Sequence, residues 1–118
     1  MEDPHKPQTR FIQCRLSGDL YEWLRLRAFL SRRSMNSIVL MAADDYRVAV
    51  DGGDATPVRG HLEGGRAVKY NVRVDDDLYE WLRTTAFFAR VSINAVLLAA
   101  LVRYRASLQD SERTAVAG

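Results

Sequence analysis

The chain has 118 residues, the length of one ordinary domain, and its single cysteine cannot close an internal disulfide, which fits a reducing compartment. Lys and Arg number 17 against 15 Asp and Glu, so the net charge of +2 argues only weakly for a polyanionic partner. No stretch reaches about 18 uninterrupted apolar residues and the polar start, Met1 to Arg10, is unlike a signal peptide, so no membrane span and a cytoplasmic location are expected.

The segment Asp19-Leu20-Tyr21-Glu22-Trp23-Leu24-Arg25 recurs letter for letter, 58 positions later, as Asp77-Leu78-Tyr79-Glu80-Trp81-Leu82-Arg83. Extended without a gap, 11–47 lies on 69–105 with 17 of 37 positions identical. Chance does not produce this. The chain is one unit written twice.

In chain order, residues 1–10 hold two prolines and little that is apolar, and are expected to form a flexible arm. Residues 11–48 are the first repeat. Phe11 to Leu16 alternates, with Ile12, Cys14 and Leu16 on one side and Phe11, Gln13 and Arg15 on the other, the pattern of a short half-buried strand. Ser17 can cap the helix that follows, expected over Gly18–Ser31, whose Leu20, Trp23, Leu24 and Ala28 have helical spacing. Arg32 and Arg33 make a turn, Ser34 stands where an N-cap belongs, and a second helix is expected over Met35–Val48 with Met35, Val39, Ala42, Ala43 and Tyr46 turned inward.

Residues 49–66 contain five glycines, Pro57 and three acids and are expected to form a linker. Residues 67–107 repeat the unit. Lys69 to Val74 alternates strictly, with Tyr70, Val72 and Val74 apolar and Lys69, Asn71 and Arg73 polar. Asp75 is the counterpart of Ser17, and Asp75 to Asp77 places negative charge at the positive end of the helix dipole. The helices are expected over Asp76–Ala89 and Ile93–Ser107, with Ser92 as the second cap and Ile93, Leu97, Ala100, Leu101 and Tyr104 inward. Residues 108–118 are expected to fray into a short tail.

Each repeat of about 40 residues is near the lower limit for folding alone, so the two should share one core. A lone six-residue strand leaves its backbone groups unpaired, and a lone helical hairpin cannot cover its apolar side. Pairing two copies satisfies both needs.

Strand, helix, tight turn and helix in about 40 residues resembles the ribbon-helix-helix family of DNA-binding proteins (Arc/MetJ type), over both repeats. The resemblance implies a mainly α fold with a short two-stranded antiparallel β-ribbon, the tandem repeats forming an intramolecular pseudo-dimer. Exchange of repeats between two chains through the long linker stays open. It also implies that the ribbon enters the major groove of duplex DNA, in a prokaryotic transcriptional repressor acting at the nucleoid. The polar strand faces would then read bases: Phe11, Gln13 and Arg15 from one repeat, Lys69, Asn71 and Arg73 from the other. Arg and Lys suit guanine O6 and N7, and Asn and Gln suit adenine N6 and N7. Phe11 either touches a thymine methyl or folds back into the core. Since Phe11 differs from Lys69 and Gln13 from Asn71, the site should be only approximately two-fold symmetric.

In the family the start of the second helix clamps a backbone phosphate. The residues in that place are Arg33, Ser34, Met35 and Asn36, and Ser92, Ile93 and Asn94, with Arg32 and Arg90 alongside. Free amides and the positive dipole end suit a helix start to this. Plain N-capping by Ser34 and Ser92 is compatible with it. The family commonly has glycine in the turn where this chain has Arg32 and Arg90. The 15 arginines against 2 lysines agree with bidentate contacts to phosphate and guanine, although a GC-rich genome produces the same excess.

Trp23, Trp81, Tyr46 and Tyr104 sit on apolar helical stripes and are expected in the core. Helix 93–107 is apolar round most of its circumference (Val96 to Val102), which suggests a surface for self-association on adjacent DNA sites. Catalysis finds no support: His5 and His61 have no partner cluster, and neither metal-ligand spacing nor a phosphate-binding glycine motif is present, so no cofactor is expected. Three other roles stay open: an antitoxin with a toxin partner, against which the short tail counts, a plasmid-partition or DNA-organising protein, and a protein-binding scaffold without a DNA role.

Overall fold

Two strands that turn alternate side chains inward pair with one another and lie across four helices. The computed structural model describes residues 9–55 and 67–117. Its elements run β1 (Thr9–Leu16), α1 (Gly18–Ser31), α2 (Met35–Asp51), β2 (Val68–Asp75), α3 (Asp76–Ala89) and α4 (Ile93–Ala117). The fold is mainly helical with one two-stranded antiparallel sheet.

The register is set by the buried face. Ile12 lies opposite Val72, Cys14 opposite Tyr70 and Arg10 opposite Val74. A slip of one residue would turn the buried set Ile12, Cys14, Leu16, Val72 and Val74 to solvent. Gln13 pairs with Asn71, its own counterpart at the 58-residue offset, so the repeat is centred on that pair.

Beneath the ribbon the helices form one cluster. Leu24 and Leu82, counterparts in the repeats, are fully buried, together with Ile38, Val39, Val96, Leu97 and Leu101. Burying one such side chain stabilises by roughly 1.5–3 kcal/mol. The halves interlock at the sides as well. Tyr46 of α2 meets Trp81 of α3 edge to face, Arg47 pairs with Asp77 at 2.7 Å, and the Trp81 Nε1 donates to Asp51 at 3.1 Å. Tyr46 is buried, whereas Trp23, Trp81 and Tyr104 are half-buried against the core.

All four expected caps form. The Oγ of Ser17, Ser34 and Ser92 and the carboxylate of Asp75 accept the amides of Leu20, Ser37, Ala95 and Leu78. Arg32 and Arg90 close α1 and α3 in the left-handed region, with φ of 56° and 58°. A side chain in that conformation costs about 1–2 kcal/mol, which a glycine would avoid.

Four expectations need correction. Both strands are longer than the alternation suggested, because Thr9 and Asp75 extend the ladder. The helix α2 runs to Asp51 rather than Val48, since Ala49 is itself a core residue and holds the last turn in place. The segment expected to fray after Ser107 is helix to Ala117: no Gly or Pro interrupts it, and Arg27 of α1 pairs with Glu112 at 3.0 Å. Finally, Ala95 to Leu101, seven residues in succession, are all buried. From Ala95 to Leu101 the apolar circumference of α4 is covered within the molecule, because α2, α3 and β1 pack round it, while Val102 stays exposed. Exposed large apolar side chains cluster toward the ends of α1 and α3, at Leu26, Phe29, Leu30, Phe87 and Phe88, with others at Phe11, Met41, Val48 and Val102.

No single helix among the described residues is long and apolar enough to cross a membrane. Of the expected arm, Thr9 and Arg10 are strand, paired with Asp75 and Val74, while residues 1–8, most of the linker, His5 and His61 lie outside the described residues.

Candidate nucleic-acid interface

The alternation that buries Ile12 and Val72 forces their neighbours outward. Phe11, Gln13, Arg15, Lys69, Asn71 and Arg73 are all exposed, on one face of the ribbon. The sequence placed them there, and the pairing gives them an order: Phe11 stands opposite Arg73, Gln13 opposite Asn71 and Arg15 opposite Lys69. Phe11 is 68% exposed, so of its two expected positions it takes the outer one. Arg15, Lys69 and Arg73 form no ion pair among the described residues, whereas Arg10 beside them is tied to Asp76 at 2.9 Å and lies over the Tyr79 ring. That hydrogen bond to Asp76 raises the Arg10 pKa further above its ordinary value.

The starts of α2 and α4 abut the two edges of the ribbon, and the contacts cross between repeats. The Arg73 amide donates to Asn36 Oδ1 at 2.7 Å, and Asn36 Nδ2 donates to the Arg73 carbonyl at 3.1 Å. On the other edge the Arg15 amide donates to Asn94 Oδ1 at 2.7 Å. These bonds satisfy edge groups that a two-stranded ribbon would otherwise leave open. The side chains of Asn36 and Asn94, expected on phosphate, are therefore engaged with strand backbone. The repeat itself held the clue, since both asparagines recur at one offset with the arginines they hold.

Of the other expected phosphate contacts, Met35 and Ile93 pack their side chains on the core, and the Ser34 and Ser92 hydroxyls cap. What each helix start still presents is backbone. Ser34 also takes the Ile38 amide, and Ser92 takes the Val96 amide. The first two amides, of Met35 and Asn36 and of Ile93 and Asn94, have no acceptor among the described residues, as expected for a helix start. Arg32, Arg33 and Arg90 are exposed beside them. Each ribbon edge thus carries a partly positive helix start flanked by arginine, and an anion is the natural ligand of such a place.

The underside of the ribbon faces the helices. Cys14 is fully buried, and burial pushes its thiol up to about 12 from 9.0, which makes it a poor nucleophile. Burial likewise raises the Tyr70 phenol.

Compared with known protein-family models, curated proteins and solved structures, the chain matches none.

Proposed function

We propose that the chain is a tandem ribbon-helix-helix protein whose repeats form an intramolecular pseudo-dimer, and that it binds duplex DNA in a sequence-specific way as a transcriptional repressor. The observation that carries this is the outer face of the ribbon. Six side chains stand in three cross-strand pairs there, three of them cations without an ion pair among the described residues. A two-stranded ribbon fits the major groove, where each base pair shows a distinct donor and acceptor pattern. The helix starts at both edges support the same reading, since amides and arginines there suit the flanking phosphates. Work at the nucleoid, in the cytoplasm, follows from this role.

The strained turns add weight. Arg32 and Arg90 hold a backbone conformation that favours glycine, at equivalent places beside the two helix starts. A side chain kept where it costs stability suggests a task for that side chain, and contact with phosphate is the task this position offers.

The test is a gel-shift titration on fragments selected from the source genome. The Arg15→Ala and Arg73→Ala variants should each lose about 1–3 kcal/mol of specific affinity. Operator binding that survives both substitutions together unchanged would refute the assignment. Light scattering tests the internal pairing: it should report a particle near 13.4 kDa without DNA, and twice that mass would indicate exchanged repeats.

A further inference from the structure

We infer that the two ends of the ribbon read two different half-sites by different means, so that the chain lies on DNA in one orientation, with Phe11 and Lys69 as the residues that set its direction. The inference rests on the proposed reading of DNA by the ribbon.

Because Asn36 grips Arg73, the start of α2 belongs to the end where Phe11 faces Arg73. Because Asn94 grips Arg15, the start of α4 belongs to the end where Arg15 faces Lys69. Each end therefore holds three exposed cations without an ion pair among the described residues, Arg10 at the Phe11 end being tied to Asp76. At the Phe11 end they are Arg73 on the reading face with Arg32 and Arg33 beside the helix start. At the Lys69 end they are Arg15 and Lys69, both on the reading face, with Arg90 beside the helix start. The counterpart of Arg33 there is Val91, half-buried against the core.

The number of unpaired cations is thus balanced while their placement is not. One end directs two cations at base edges, which suits two guanines. The other directs one cation at base edges and two at the backbone, and fills the remaining reading position with an exposed phenyl ring. That ring can neither donate nor accept a hydrogen bond. Its favourable contact in the major groove is the thymine methyl, and any base offering only polar edges there would lose its water without replacement. Phosphate contacts set register without reading sequence, so the ends should hold DNA about equally while selecting different bases.

The experiment is selection of duplexes from a random-sequence library by the full chain, followed by titration of the best site. The wild type should enrich a site with unequal halves, one guanine-rich and one with thymine beside a guanine. Replacing that thymine by uracil, which removes only the methyl, should weaken binding about fourfold, the worth of one buried methyl group. The Phe11→Lys variant should ignore the replacement and enrich a palindrome of the guanine type, and Lys69→Phe a palindrome of the thymine type. Both side chains are exposed, so neither change should disturb folding. Arg33→Ala should weaken all sequences alike. A palindromic site for the wild type, or a consensus that Phe11→Lys leaves unchanged, would overturn the inference while leaving the DNA-binding assignment intact. Enrichment of no duplex at all would overturn both.

Discussion

The two repeats are most alike along their first helices and least alike along their strands. Leu20, Trp23, Leu24 and Ala28 recur unchanged as Leu78, Trp81, Leu82 and Ala86, all in or against one core. On the outer ribbon face only Arg15 and Arg73 are identical, while Phe11 and Gln13 give way to Lys69 and Asn71. A shared core couples the halves: a change of volume in one copy must fit side chains of the other. The exposed ribbon face has no such neighbour. On the inner face Ile12, Cys14 and Leu16 give way to Tyr70, Val72 and Val74, where cross-strand neighbours such as small Cys14 and large Tyr70 compensate in volume. The doubled Asp-Leu-Tyr-Glu-Trp-Leu-Arg segment therefore builds the fold, and the residues proposed to read DNA lie on the strands before it.

The largest effects are expected in the shared core. Leu24→Ala and Leu82→Ala should each cost about 2–5 kcal/mol in chemical denaturation. If the halves share one core, the two losses should be similar and each variant should unfold in a single transition. Two separable transitions would mean that the repeats fold independently.

Next in size is the inner-face difference between Cys14 and Val72. The buried thiol has its pKa raised in the fold, so its contribution is fully present below the unfolded value near 9 and is lost as the pH rises toward about 12. Wild-type stability should therefore fall relative to Cys14→Val by about 1.4 kcal/mol per pH unit above 9. Thermal melts of both proteins across that window would measure it, and parallel curves would contradict the buried-thiol account.

A smaller contrast lies in the crossed asparagines. Asn36→Ala removes two bonds to Arg73, and Asn94→Ala removes the bond to the Arg15 amide. Each bond is worth about 0.5–1.5 kcal/mol, so Asn36→Ala should be the more damaging of the two. Faster amide exchange at Arg73 and Arg15 would locate the effect.

The smallest effect has the opposite sign. Arg32→Gly and Arg90→Gly relieve left-handed backbone but add freedom to the unfolded chain, for a net gain of roughly 0.5 kcal/mol each. The same variants should bind DNA more weakly and with a shallower salt dependence. A stabilised variant that binds as well as the wild type would remove the functional explanation for arginine in the turns.

Features that depend on near neighbours were legible in the amino-acid order. Alternation placed both strands and sorted their faces, helical spacing located four helices, and Ser17, Ser34, Asp75 and Ser92 marked their starts. Those signals act within a few residues, so they are legible in a string of letters. Tertiary structure decided what depends on residues far apart in the chain. It set Phe11 across from Arg73 and Lys69 across from Arg15, and it gave Asn36 and Asn94 to the opposite strands. It also buried Ala95 to Leu101 on every side and carried α4 to Ala117 against Arg27. An apolar helix face reads the same whether water, a partner or the chain itself covers it. Only the packing of the two halves supplies the cover, and with it the order in which the ribbon presents its side chains.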